Sequence, residues 1–399
     1  MTRLVTRILP LIFICLAFAG TVSAQIYADV ALGGAVSGTF TIHLEDQKAP
    51  VAVANFIGLA TGSKGWLDLN TGTLRYDPYY NGLIFHRVIA NFMSQTGSRS
   101  GDGTDGPGYT FQNEITSLSH ATPYTVAMAN SGGASTNGAQ WYITANSSQS
   151  FLDGSYTIFG EVTSGTAVCN ALNNVSTSGG GGSPADRPLT PVNIRSITIY
   201  GPSLASFNLN PNALPKVLGA RPVMKVSGSN YTLGFDHNAF SYYYRFDSPD
   251  LQTWTNSWTG YFHRAAPAPG DQDVTSLSTG GKHFFKMARV DYRLCYNSFV
   301  PDSLAGKTVH FSPPLGGSLV VNAPGTGGTW AFDGSASSSL TYYSYSVFPY
   351  WGNPVLQLAN NMVFAIDHLE YTSATGGIYN GRTNVNGFSN ITGTFTSSP

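Results

Sequence analysis

The 399-residue chain carries 20 Lys and Arg against 21 Asp and Glu, a formal net charge of −1, and this balance leaves no basic footprint for a nucleic-acid partner. Charged residues make up only 10%, while Gly reaches 45 and Tyr 22, so solubility rests on Ser, Thr, Asn and Gly, as suits an extracellular β protein better than a cytosolic enzyme. The length exceeds what one hydrophobic core comfortably supports and predicts more than one domain.

Met1 to Ala24 has Arg3 and Arg7, then the apolar run Ile8 to Gly20, then Val22-Ser23-Ala24 before Gln25. A positive start, a short apolar core and a small-x-small end predict a secretory signal peptide over 1–24. The apolar run is too short for a good membrane span. The expectation is therefore an exported protein (periplasmic, extracellular or cell-surface) with no transmembrane anchor after cleavage. Of three cysteines, Cys15 leaves with the signal. Cys169 and Cys295 either pair across domains in an oxidising compartment or stay independent buried thiols. No Cys-x-x-Cys or His-x-x-x-His spacing suggests a metal.

Residues 25–202 read as a first domain. Gly38 to Leu44 alternates as a strand, and Pro50 to Leu59 supplies an amphipathic helix opened by proline. Phe85 to Gly97 reads as two short strands joined at Ala90-Asn91, with Met93 and Gln95 on one face and Arg87 turned away from its neighbour His86. Val168, Leu172 and Val175 recur at helical spacing around Cys169. Ser176 to Thr190, with Gly179 to Gly182, is expected to be a surface loop inside this domain, because a cut there would strand the last strand, Pro191 to Gly201, and open a sheet edge. The boundary falls in the proline-punctuated stretch Pro202 to Pro215.

Beyond it, two all-β, sandwich-like modules are expected over 203–300 and 301–399. Tyr242 to Phe246, His283 to Met287, Thr341 to Tyr345, Val363 to Ile366 and Gly387 to Thr396 alternate with turn-rich segments, without a helical stripe. Leu251 to Thr255 and Phe284-Phe285 weakly resemble parts of a small sandwich module of secreted bacterial proteins. The aromatic residues of this half either fill sheets or form a face for surface glycan.

Within the first domain, motifs follow one another in a fixed order. Phe85 to Gly97 comes first, then Met128-Ala129-Asn130, Thr136 to Ile143, Phe151-Leu152-Asp153-Gly154 and Tyr156 to Val162. Together they resemble the cyclophilins, the peptidyl-prolyl cis-trans isomerases, over roughly Gly38 to Gly201. The resemblance implies a closed eight-stranded antiparallel barrel with helices capping its ends. It also implies proline-containing polypeptides as partners and no cofactor.

The chemistry is simple to state. Twisting an Xaa-Pro bond over a barrier of about 18–20 kcal/mol breaks amide conjugation and leaves a basic prolyl nitrogen. A catalyst needs an apolar socket for the ring and a permanent donor near that nitrogen. By resemblance, Arg87 is the catalytic donor and Gln95 the residue that holds it; arginine suits the role because it stays protonated and presents a rigid fork. Phe92, Met93 and Leu152 match socket residues, Ala129 and Asn130 the strand whose backbone pairs with substrate, and Gln140 a polar groove residue. Trp141, next in alternation, should face the barrel interior. Three positions depart from the family: Tyr142 stands for a socket phenylalanine, Tyr156 for a histidine and Phe151 for a tryptophan. A hydroxyl buried at Tyr142 needs a partner. His86 reads as a hydrogen-bonded structural histidine. The rival reading is a catalytically weak peptide-binding or adhesive surface protein.

Overall fold

The computed structural model describes residues 25–132, 136–182, 184–227, 230–236, 241–259, 272–276 and 284–292, then 307–313, 316–321, 328–331, 338–340, 342–347, 354–359, 364–373, 376–383 and 389–398. The expected signal segment and Cys295 lie outside the described residues.

The first unit contains β1 (Ile26–Gly34), β2 (Gly38–Leu44), α1 (Pro50–Thr61), β3 (Trp66–Asp68), β4 (Thr73–Arg75), β5 (Arg87–Ile89), β6 (Met93–Thr96), β7 (Thr125–Met128), β8 (Trp141–Thr144), β9 (Ile158–Ser164), α2 (Thr166–Asn173) and β10 (Val192–Tyr200). Eight of the strands form one antiparallel sheet in the order β10-β1-β2-β9-β7-β8-β6-β5, and β3-β4 is a separate hairpin. The sheet is curled. Its edge strands β5 and β10 share no ladder, because β5 begins only at Arg87. The run before it leans on β10 instead, through Gly82 N to Ile194 O (2.8 Å), Ile194 N to Leu83 O (2.8 Å) and Phe85 N to Val192 O (2.9 Å). Where the expected barrel would be fully closed, the ladder is open at this seam.

Alternation sorts the sheet's two faces. Trp141, Val88, Ile143, Val126 and Met128 point to the main core, where Trp141 meets Phe56 edge-on at 5.7 Å and Phe85 at 6.0 Å. Trp141 thus faces inward, as its position in the alternation predicts. The helix α1 differs from expectation: it is buried on every side from Ala52 to Ala60 rather than on one stripe, because none of the twelve residues of its run PVAVANFIGLAT carries a charge and its buried polar group is satisfied. That group, Asn55, donates to Gly138 O and accepts from Tyr109 Oη at 2.6 Å. The N-terminus of α1 is capped from afar, with Glu114 accepting from the amides of Val51 (3.0 Å) and Ala52 (2.7 Å).

The 176–190 segment folds back on the first unit. Ser178 N donates to Arg187 O, Leu189 N to Ser176 O and Val88 N to Asp186 O, so the glycine-rich turn is tied to β5. Among the described residues Cys169, on α2, is a buried thiol with no disulfide partner.

Beyond the turn Leu204–Ser206 every described element is a strand. A middle unit holds β11 (Lys216–Gly219), β12 (Pro222–Ser227), β13 (Asn230–Asp236), β14 (Ser241–Ser248), β15 (Thr255–Thr259), β16 (Gln272–Ser276) and β17 (Phe284–Asp291). They form a four-stranded sheet, β11-β17-β14-β15, and a three-stranded sheet, β12-β13-β16. Leu233 of the smaller sheet packs with Tyr243 and Met287 of the larger. Leu214, Val217, Phe246, Val290 and Tyr292 belong to the same apolar cluster as the core of the first unit. The last region forms a nine-stranded sheet in which Thr308–Phe311 pairs with Ser389–Ser398. Tyr243, Tyr292, Phe311, Tyr379 and Phe395 are all buried, so these aromatic residues fill sheets.

Candidate active site

The outer face of the curled sheet carries the site. The register places Arg87 opposite Gln95, Gln95 opposite Tyr142 and Tyr142 opposite Ala127, one row across four strands whose side chains share a face. On that face Met93, Ala127, Tyr142, Leu152 and Ile158 form a second apolar cluster, joined by Phe92, Ala129 and Tyr156.

The β5-β6 turn is fixed from two sides. Asn91 takes φ 60, a left-handed value that asparagine tolerates. Its N–H donates to Asn173 Oδ1 (2.9 Å), and Asn173 Nδ2 donates to Ile89 O (3.1 Å). Gln149 Nε2 donates to Asn91 O (2.9 Å). The far end of β6 is pinned by Gly97 at φ 94, where a Cβ would sit 2.3 Å from Ala139 O, so only glycine fits.

Arg87, Phe92, Met93, Gln95, Ala129, Asn130, Tyr142, Leu152 and Tyr156 line one cavity of about 110 Å³. All nine belong to the set expected from the sequence. The remaining two lie beside it. Gln140 lines an adjoining cavity of about 450 Å³ that shares Gln95, Ala129 and Asn130. Phe151 is 72% exposed and stacks on Phe92 at 5.7 Å, at the rim of the smaller cavity.

Arg87 keeps 43% of its side chain exposed, and its Nε lies 3.5 Å from Asp186 Oδ2. Its backbone partner Gln95 directs its own amide elsewhere, donating Nε2–H to Gln140 Oε1 at 2.9 Å. Gln140 in turn donates to Gly103 O and Asp105 O, both at 2.8 Å. In this geometry Asp186 is the acid beside the guanidinium, while Gln95 links the two cavities.

Sequence reasoning asked for a partner for the Tyr142 hydroxyl without naming it. The partner is His120, whose Nε2 lies 2.8 Å from Tyr142 Oη, and whose Nδ1 lies 2.8 Å from Asp153 Oδ1. Burial holds the His120 pKa below its ordinary value, against the opposing pull of Asp153. Burial would raise Asp153, but hydrogen bonds from Ser119, the His120 amide and the His120 ring outweigh it and hold the carboxyl low. With Asp153 ionised and His120 neutral, Nδ1–H donates to the carboxylate and Nε2 accepts from Tyr142 O–H. Tyr156 meets the Tyr142 ring edge-on at 5.7 Å. Neither His120 nor Asp186 was assigned from the sequence. His120 lies 22 positions before Tyr142 in a turn-rich stretch, and the one available signal was the need of a buried hydroxyl for an acceptor.

The bond gives a measurable coupling. His120→Leu should lower unfolding free energy in urea by about 1–3 kcal/mol, because it orphans a buried hydroxyl. Adding Tyr142→Phe removes the orphan and should recover part of the loss. If the two changes simply add, the bond contributes nothing to stability.

His86, expected to be hydrogen-bonded, is buried, but its Nδ1 finds no partner among the described residues. Burial pushes its pKa down to about 4, the carboxylates of Asp105 and Asp102 opposing. It is therefore neutral near pH 7 and turned from the face that carries Arg87. Among the described residues no group of three His, Cys, Asp or Glu side chains is placed to hold a metal.

A family model described as cyclophilin type peptidyl-prolyl cis-trans isomerase/CLD matches residues 27–199. The chain is 40% identical over 178 residues to peptidyl-prolyl cis-trans isomerase B of Streptomyces anulatus, a match covering 44% of this chain and 97% of that relative. It is 42% identical over 165 residues to peptidyl-prolyl cis-trans isomerase A of Mycobacterium tuberculosis, covering 41% and 87%. Two crystal structures of a cyclophilin type peptidyl-prolyl cis-trans isomerase of Cryptosporidium parvum, the second in the presence of the dipeptide Ala-Pro, align with a TM-score of 0.37, with 27% and 28% identity, over 44% of this chain and 98% and 99% of those chains. With 97% of the Streptomyces relative covered at 40% identity, and the family model on residues 27–199, which hold the Arg87 cavity, the chain belongs to the cyclophilin-type peptidyl-prolyl cis-trans isomerases.

Proposed function

We propose that the protein is exported and rotates Xaa-Pro bonds of extracytoplasmic polypeptides, with the proline ring seated in the smaller cavity and Arg87 at the prolyl nitrogen. The observation that carries this reading is that nine residues assigned from the sequence line that single cavity. Met93, Tyr142 and Leu152 supply apolar walls, and Phe92 and Tyr156 flank them. Removing the ring from water lowers the cost of holding the twisted peptide, while Arg87 strengthens its hydrogen bond as the nitrogen loses conjugation and gains a lone pair. No proton is transferred and no base is required, so the neutral His86 has no part in the reaction. Gln95, bonded to Gln140, lies at the junction of the two cavities and orients the peptide there. Phe151 stacks on Phe92 and extends the apolar rim.

The seam hydrogen bonds between 82–85 and β10 support reading the sheet as a barrel closed by this run. Export rests on the residues of the first 24 positions: Arg3, Arg7, the apolar run Ile8 to Gly20 and Val22-Ser23-Ala24. The test is expression of the full chain in a bacterial host, with fractionation and N-terminal sequencing. A product beginning at Gln25 outside the cytoplasm agrees with the reading, and intact chain retained in the cytoplasm overturns the export.

A further inference from the structure

The larger cavity has an unusual outer support. Its wall includes Pro107, Tyr109 and Thr110, and each is held by something outside the eight-stranded sheet. Thr110 N donates to Tyr292 Oη of the middle unit at 3.3 Å, and Tyr292 is only 2% exposed. Lys64 Nζ lies 4.5 Å from the centroid of the Tyr109 ring and donates to Pro215 O at 2.6 Å, tying that ring to the run that enters β11. Pro107 O accepts from Leu67 N of β3 at 3.0 Å.

The β3-β4 hairpin is itself gripped by the middle unit. Phe246 of β14 seats on Gly72, where φ is +65 and a Cβ would lie 2.5 Å from the ring. Lys286 of β17 donates to Thr71 O at 3.1 Å. Two routes therefore run from the middle unit to the same wall, one direct through Tyr292 and one through the hairpin. Buried apolar contact makes both stiff, since Phe246, Val290 and Tyr292 share the core of the first unit.

We infer that the middle unit shapes the larger cavity and thereby sets which residues flanking the proline the enzyme accepts. The inference rests on reading the smaller cavity as the proline socket. The two cavities share Gln95, Ala129 and Asn130, so a peptide with proline in one extends its neighbouring residues into the other. At about 450 Å³, with Thr104, Thr110, Asn130 and Gln140 in its lining, the larger cavity fits a large polar side chain.

The experiment compares two proline peptides on the full chain, one with alanine and one with glutamine in the flanking positions. Tyr292→Phe keeps the ring and removes the acceptor of the Thr110 amide. Lys64→Met, a second variant, removes the tie to Pro215. For each, kcat/KM on the glutamine peptide is expected to fall by about three- to tenfold, while the alanine peptide stays within about twofold. Hydrogen exchange at Thr110 should quicken in Tyr292→Phe. An equal loss on both peptides marks a merely structural contact and overturns the inference. No change in selectivity overturns it as well, whatever the exchange rate does. If the wild type accelerates neither peptide, the socket assignment fails first, and the inference with it.

Discussion

Arg87→Ala in the full chain is expected to lower kcat for a short Xaa-Pro peptide by about 10²–10³-fold, the loss that follows removal of one donor aimed at charge developing in a transition state. KM should change little, because the planar prolyl nitrogen of the ground state offers this donor no lone pair. The fold should survive: Arg87 leaves 43% of its side chain in water and touches the outer face, not the core. Arg87→Lys keeps the charge but loses the fork, and should recover only part of the rate. Progress curves at low temperature check this, since the uncatalysed reaction there takes minutes. A folded Arg87→Ala protein within threefold of wild type would sink the donor role.

Acid should weaken the fold well above the pH at which carboxylates alone would do so. His86 is held neutral by burial, with its pKa pushed down from 6.5 to about 4. The unfolded chain therefore binds more protons than the folded one across that interval, and stability falls as pH drops from about 6.5 toward 4. The shift corresponds to a loss on the order of 3 kcal/mol across that window. His120, also lowered by burial, adds in the same direction. Glu114, raised by burial against the two helix amides it accepts from, works the opposite way, its acid form being favoured in the fold. Urea unfolding between pH 7 and 4 of wild type and His86→Leu isolates the His86 share. The variant's curve should be flatter by about that amount, and parallel curves would refute the assignment.

The parts of this protein legible in the sequence are those decided by neighbours along the chain. β2 follows from alternation in Gly38 to Leu44, and α1 from Pro50 and the apolar run behind it. The Arg87 face follows from period two, which put Met93 and Gln95 together and His86 on the other side. The nine cavity residues were reached through ordered motifs, each holding part of a strand except Phe151 to Gly154, which brings Leu152 from the 3-10 turn Ser150–Leu152.

What escaped was decided by distant parts of the chain. Glu114 caps α1 across 63 positions, and Asp186 reaches Arg87 from the far side of a glycine-rich turn whose path no periodicity encodes. The amphipathic reading of α1 failed because the helix is covered all round, and coverage belongs to the tertiary structure. Phe246 and Tyr292 gave no sign, within their own strands, that they would enter the core of the preceding unit.

The pairing of β1 with β10 sets an order of events in folding. Tyr27 lies opposite Tyr200, so the first described strand finds its edge partner only after about 170 further residues exist. The hairpin that carries Arg87, by contrast, closes over a turn of three residues between Ile89 and Met93. Local contacts form fast and remote ones slowly, because loop closure must be completed before remote pairing is rewarded. The Arg87 hairpin is thus assembled early, while its sheet stays unfinished until β10 arrives, and β10 is also the strand on which the run entering that hairpin leans.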